Sequence, residues 1–129
     1  MKKPLKNKIK TLSIIVLAGI SLLTNAQEKH LKNIKKLTFG GDNAEAYFSP
    51  NSNMLTLQVT NNEIGTPCDQ IYTLDLQENN ITTQSLKRVS TGKGRTTCSY
   101  FMPDGKHILY ASTHAANDAC PAPPKPKDG

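Results

Sequence analysis

Six residues carry side chains suited to chemistry and recur close enough in the chain to be gathered: Cys68, Arg95, Cys98, His114, Asp118 and Cys120. Three readings compete for the cysteines. The first is a structural disulfide. A Cys98–Cys120 bond would close a hairpin-scale loop and restrict the unfolded chain by about 3 kcal/mol. A Cys68–Cys98 bond would instead tie two successive units together, and in either case one thiol is left over. The second reading is a metal site from His114, Asp118 and Cys120. Its His-x5-Cys spacing lacks the paired Cys-x-x-Cys of a strong zinc pattern, so no metal ligand is assigned. The third is a set of unpaired thiols.

Catalytic constellations are weaker. Ser99 and Ser112 lack the Gly-x-Ser-x-Gly elbow that exposes a hydrolase nucleophile. His30 lies near the leader, His107 sits beside a turn, and His114 is the one histidine near the cysteines. Gly92-Lys93-Gly94-Arg95 has the glycines and lysine of a phosphate loop, but no Ser or Thr follows the lysine and no helix is expected after it. No catalytic residue and no cofactor is assigned. Tyr47, Phe48, Tyr100 and Phe101 read as packing residues, not a stacking platform for bases.

The elements that must position these groups show up as a repeat. Residues 34–60 align with 86–113, at an offset of 52 at the start and 53 later. Ala46-Tyr47-Phe48-Ser49-Pro50-Asn51-Ser52-Asn53 matches Ser99-Tyr100-Phe101-Met102-Pro103-Asp104-Gly105-Lys106. Pro103-Asp104-Gly105-Lys106 is a turn with a mechanism: Pro103 presets φ, Asp104 bonds its own backbone, and Gly105 accepts φ > 0. Pro50-Asn51-Ser52-Asn53 is a weaker copy without the glycine. Apolar strands flank both turns. Gln70–Leu76 alternates with period two, as a half-buried strand does, and Glu78-Asn79-Asn80 turns the chain. No helix is predicted after the leader. One repeat is thus four short strands over roughly 50 residues, the content of a propeller blade.

The chain has 129 residues, enough for one domain at most, with 36% hydrophobic and 5% aromatic residues. Its +6 charge belongs mostly to the leader, where Lys2, Lys3, Lys6, Lys8 and Lys10 fall in the first ten residues. From Gln27 onward 11 Lys and Arg face 10 Asp and Glu. A nucleic-acid binder concentrates basic residues in its folded domain, so nucleic acid is excluded as a partner. Residues 1–26 read as a signal peptide: a basic start, a 12-residue apolar run from Leu12 to Leu23, then Thr24-Asn25-Ala26 before the cut. That run is too short to span a bilayer as a helix. Membrane contact is expected only during export, the location is periplasmic or secreted, and the cysteines meet an oxidising compartment.

Leu37-Thr38-Phe39-Gly40-Gly41, Phe48-Ser49-Pro50-Asn51, Gln70-Ile71-Tyr72-Thr73-Leu74-Asp75-Leu76 and Phe101-Met102-Pro103-Asp104-Gly105-Lys106 together resemble the WD-like repeat of TolB-type periplasmic β-propellers. The resemblance covers residues 34–113 and is specific for the repeat, not for an activity. It implies an all-β fold, a partial β-propeller of about one and a half four-stranded blades after a signal-peptide helix. The expected organisation is a signal peptide over 1–26, an N-terminal segment with a ring-closing strand over 27–42, blade 1 over 43–91, and an incomplete blade 2 with a Pro-rich tail over 92–129. Closed propellers need four to eight blades, so the chain is expected to be a fragment with further blades missing.

Strand alternation in such blades places Cys68, Cys98, Cys120, Arg95, His114 and Asp118 at one end of the disc. Function on propellers sits in loops, here 62–69, 92–97 and 112–120, with Glu63, Thr66, Asp69, Arg95, Thr96, Thr97, His114 and Asp118 as contact candidates. The resemblance implies a non-enzymatic module binding a protein of the cell envelope. The alternative is the propeller front end of a secreted prolyl-oligopeptidase-like serine peptidase.

Overall fold

The structure, a computed structural model, describes residues 30–122. The expected leader and the tail from Pro123 lie outside the described residues. Four strands form one antiparallel sheet in chain order: β1 (Asp42–Phe48), β2 (Met54–Asn61), β3 (Thr66–Asp75) and β4 (Lys87–Arg88). A second hairpin pairs β5 (Thr96–Phe101) with β6 (Ile108–Ser112). Two single 3₁₀ turns, Asn62–Ile64 and Thr83–Ser85, are the only helical elements among the described residues. The all-β expectation therefore holds.

The alternation in β3 explains the core. Leu55 opposes Leu74 and Leu57 opposes Tyr72 across the β2–β3 ladder. Direct partners point to the same face, so these side chains and Val59 form one buried cluster, with Leu37, Ile64, Leu76, Ile81 and Leu86 packed over it. Each fully buried Leu contributes roughly 1.5–3 kcal/mol. A one-residue slip of β2 would put Thr56 and Gln58 there instead. Register is thus set by the apolar pattern of β2 and β3.

The opposite face of the sheet meets the second hairpin, with β5 lying across β1, β2 and β3. Thr56 is fully buried there, and its hydroxyl is 2.7 Å from the Ser99 hydroxyl. Phe101 is buried on the same side at 4% exposure. Because β2 is covered on both faces, its burial pattern does not alternate.

The two hairpins share one geometry. In the first, Ala44 pairs with Gln58, Tyr47 with Thr56 and Phe48 with Leu55, with a bulge between Ala44 and Tyr47. In the second, Thr97 pairs with Ala111, Tyr100 with Leu109 and Phe101 with Ile108, with a bulge between Thr97 and Tyr100. Every pair in the second list is the first advanced by 53 residues. The turns match as well. Ser49 N donates to Met54 O and Ser52 N to Ser49 O; Met102 N donates to His107 O and Gly105 N to Met102 O. Asp104 bonds its own turn, accepting from Lys106 N and His107 N.

Several expectations change. β3 begins at Thr66, four residues before the predicted start, so Cys68 lies within the strand. Residues 34–39 form no strand; β4 is only Lys87–Arg88 and occupies the outer edge alone. Tyr47, Phe48 and Tyr100 do not act as core residues. β1 is exposed along its whole length, Phe48 is 61% exposed and Tyr100 60% exposed. Of the four aromatics, only Phe101 is buried; Tyr47 and Tyr100 instead pack edge-on across the hairpins, their rings 5.7 Å apart.

Candidate functional site

The loops 62–69, 92–97 and 112–120 meet at one end of the double hairpin. A disulfide joins Cys68 to Cys120 with the Cα atoms 5.9 Å apart. Backbone bonds hold the loops beside it: Gly94 N donates to Asp118 O at 2.8 Å and Thr113 N to Arg95 O at 3.0 Å. Arg95 N donates to Thr113 Oγ1 at 2.9 Å. Gly94 is required by contact as much as by its φ of +59°. A Cβ there would lie 2.7 Å from His114 N and Thr113 Oγ1.

Gln70 organises this end and carried no signal in the sequence beyond being polar within an apolar strand. It is buried. Its Nε2 donates to Gly94 O at 2.9 Å, while its Oε1 accepts from Ser90 Oγ at 2.7 Å and from Gly92 N at 3.0 Å. Buried polar groups need such partners, so one side chain fixes the course of residues 90–94.

Four of the charges at this end form two pairs. Arg95 Nε lies 3.3 Å from Asp69 Oδ2, close enough for an ion pair though misaligned for a hydrogen bond. Asp69 also accepts from the Thr60 hydroxyl. Lys93 Nζ is 2.7 Å from Asp118 Oδ2, both well exposed. Exposed pairs of this kind contribute little to stability, about 0–1 kcal/mol. Arg95 Nη2 also approaches Cys120 Sγ at 3.9 Å.

The contact candidates divide accordingly. Glu63, Arg95, Thr97, His114 and Asp118 retain accessible surface at this end. Thr66 and Thr96 do not: both are buried, Thr66 bonding the Tyr72 hydroxyl and Thr96 donating to Asp69 O. They hold the loops and present nothing outward. Asp69 is half-buried and already committed to Arg95 and Thr60.

Cys98 is the principal correction. Neither pairing weighed from the sequence forms; Cys98 is a free, exposed thiol. The bulge in β5 places it at φ +52° and turns it out of the ladder, whereas β3 carries Cys68 to Cys120. Near it, Tyr47 donates to Glu45 Oε2 at 2.6 Å. That bond first, and then the Glu45 charge, raise the tyrosine pKa.

Chemically the site is spare. Ser112 Oγ lies 2.7 Å from His114 Nδ1, but among the described residues no carboxylate bonds that ring to complete a triad. No group of three His, Cys, Asp or Glu is arranged to hold a metal ion among the described residues. Two surface grooves lie elsewhere: one of 270 Å³ between the hairpin turns, lined by Phe48, Pro50, Tyr100 and Pro103, and one of 510 Å³ beside Ile64, Tyr72 and Leu86. Comparison of the chain with protein-family models, curated proteins and solved structures finds no match.

Proposed function

We propose that the chain is an exported, non-enzymatic module of TolB-like β-propeller type, contributing about one and a half blades and binding a protein of the cell envelope through its loop end. The observation that supports this best is the repeated hairpin, identical in register and stacked face to face, as consecutive blades of a propeller would be. That stacking brings three loops together around a disulfide, giving a stiff surface of hydrogen-bonding and paired charged groups. A surface so neutral favours recognition by shape and hydrogen bonds. It offers no basic patch for nucleic acid. The disulfide fits a periplasmic or secreted location.

A photo-crosslinking amino acid at Glu63, His114 or Asp118 tests the reading in the exporting cell. The expected result is one discrete protein adduct from these positions and none from Lys106, at the opposite turn end. Equal labelling from both ends, or none from the loop end, removes the proposal. N-terminal sequencing of the same material checks export, with Gln27 expected as the first residue.

A further inference from the structure

We infer that the groove of 510 Å³ beside Ile64, Tyr72 and Leu86 is a binding site for a small organic acid, an aryl or branched alkyl body that carries one carboxylate. The inference stands on this groove alone. It needs neither the repeat nor the partner proposed for the loop end.

The apolar part of the groove follows from the core. Tyr72 belongs to the buried cluster at 5% exposure and gives the groove its floor. Ile64, from the first 3₁₀ turn, and Leu86, just after the second, are partly buried against the same cluster and flank the ring. Arg88 is the direct partner of Tyr72 in the β3–β4 ladder. Direct partners share a face, so the arginine stands beside the tyrosine at the edge of the sheet and lines the groove. Gly92 leaves room for its head: a Cβ at that position would lie 3.0 Å from Arg88 Cζ.

The chemistry of the ligand follows from which polar groups are already committed. The Tyr72 hydroxyl is bonded to the Thr66 hydroxyl. Thr83 Oγ1 donates to Phe39 O at 3.3 Å, and Gln84 Oε1 accepts from Thr82 Oγ1 at 3.0 Å. Two lining groups remain open, Gln84 Nε2 and the Arg88 guanidinium, and both only donate. The two arginines of the chain differ here. Arg95 pairs with Asp69, whereas Arg88 makes no ion pair among the described residues. A guanidinium holds a carboxylate by two parallel N–H bonds, a geometry an ammonium cannot offer. One unpaired cation balances one negative charge; a phosphate dianion would leave excess charge against Tyr72 and Leu86. The volume lies in the range that takes small ligands, about 300–1,000 Å³. An apolar body over the Tyr72 ring, with its carboxylate at Arg88, satisfies both halves of the groove.

The test is an NMR titration of the chain purified from the exporting cell. Phenylpropionate is the probe and its neutral amide the matched control. Saturable shifts are expected at the Ile64, Tyr72, Leu86 and Arg88 amides and at Arg88 Nε, with a midpoint of about 1 mM. The neutral amide is expected to bind about tenfold more weakly, since it lacks the charge-assisted bonds. Arg88→Gln, at an exposed edge position, is expected to keep the far-UV circular dichroism, to weaken the acid about tenfold and to leave the amide control unchanged. No saturation by about 10 mM overturns the inference, as do shifts centred outside the groove. Equal affinity for acid and amide also overturns it, and that comparison needs no variant. An Arg88→Gln chain that binds the acid as the wild type does would remove the arginine from the site and the inference with it. Loop-end crosslinking is read separately, so either idea can fail without the other.

Discussion

Glu45 and Cys98 stand 53 residues apart and hold the same left-handed backbone, φ 51° and 52°. Each sits in the bulge of its hairpin. Neither is a residue type that seeks φ > 0, so the conformation belongs to the bulge and not to the side chain. For Cys98 the consequence is chemical: the thiol faces solvent and cannot join the other two. One thiol per folded chain is therefore expected to react with a maleimide or a disulfide reagent, and none in Cys98→Ser. Mass spectrometry of alkylated, non-reduced protein checks this. A reactive thiol surviving in Cys98→Ser would refute the pairing.

Ser52 and Gly105 occupy the same point of the two turns, at φ +59° and +65°. Left-handed backbone costs a non-glycine residue roughly 1 kcal/mol, and the second turn avoids that cost. Ser52→Gly is expected to stabilise the chain by up to about 1 kcal/mol, and Gly105→Ala to destabilise it by about 1 kcal/mol. A Cβ at Gly105 would meet no atom within 4 Å, so its cost is purely conformational. Urea midpoints at constant slope measure both.

Cys68 and Cys120 are separated by 52 residues, one short of the repeat. The disulfide therefore links nearly equivalent points of successive units, stapling the hairpins where β5 otherwise depends on face contacts. In the chain-entropy picture a loop of that length restricts the unfolded state by about 4 kcal/mol. Cys68→Ala/Cys120→Ala is expected to lose most of that, and to raise hydrogen exchange at Gly94 and Thr113 before it does so in β2 and β3. Uniform loosening of the whole chain would instead mean that the bond acts only through the unfolded state.

The turns and strands were legible because their cause is local. Pro103-Asp104-Gly105 dictates its own geometry, and the alternation of Ile71 to Leu76 marks a strand, although that strand is buried on both faces from Gln70 to Leu74 and not half-buried as the alternation predicts. The repeat was legible because two copies of a hairpin need two copies of its turn. A structural disulfide was legible, but its pairing was not. Its pairing follows from a bulge that no residue type announces, and Glu45, holding the same conformation, gives no warning of Cys98. Thr66 and Thr96 looked like loop contacts and proved to be internal braces, since loop sequence does not reveal which hydroxyl points inward. Aromatic identity suggested packing roles for all four of Tyr47, Phe48, Tyr100 and Phe101; Tyr47 and Tyr100 do meet edge-on, but only Phe101 is buried, and residue type does not announce which of them a neighbouring face will cover.

The Thr56–Ser99 hydroxyl pair sits buried between the hairpins with no charge nearby in its bonding. Removing one partner strands the other hydroxyl out of water, at about 1–3 kcal/mol, whereas removing both can be nearly neutral. Thr56→Val and Ser99→Ala are each expected to destabilise by about 1–2 kcal/mol, and the double variant by less than their sum. A double-mutant cycle by chemical denaturation decides it. Strict additivity would mean that the two hydroxyls do not depend on each other.

Asp104 gives the second turn a defined acid response. Its carboxylate bonds His107 Nδ1 at 2.6 Å and accepts from the amides of Lys106 and His107. The His107 bond, then the two amides, lower its pKa from 3.8 to about 2. A carboxylate with a depressed folded pKa stabilises the turn fully above its unfolded value and loses that effect as pH falls toward the folded one. The turn is therefore expected to hold at pH 5 and above and to weaken between about pH 4 and pH 2. The first turn lacks this response, because Asn51 cannot titrate. NMR titration of the Asp104 carboxyl carbon measures the shift, and Asp104→Asn is expected to flatten the acid dependence of the Gly105 amide while leaving Ser52 unchanged. An Asp104 midpoint near the unfolded value would show that the imidazole and amide bonds do not persist in solution.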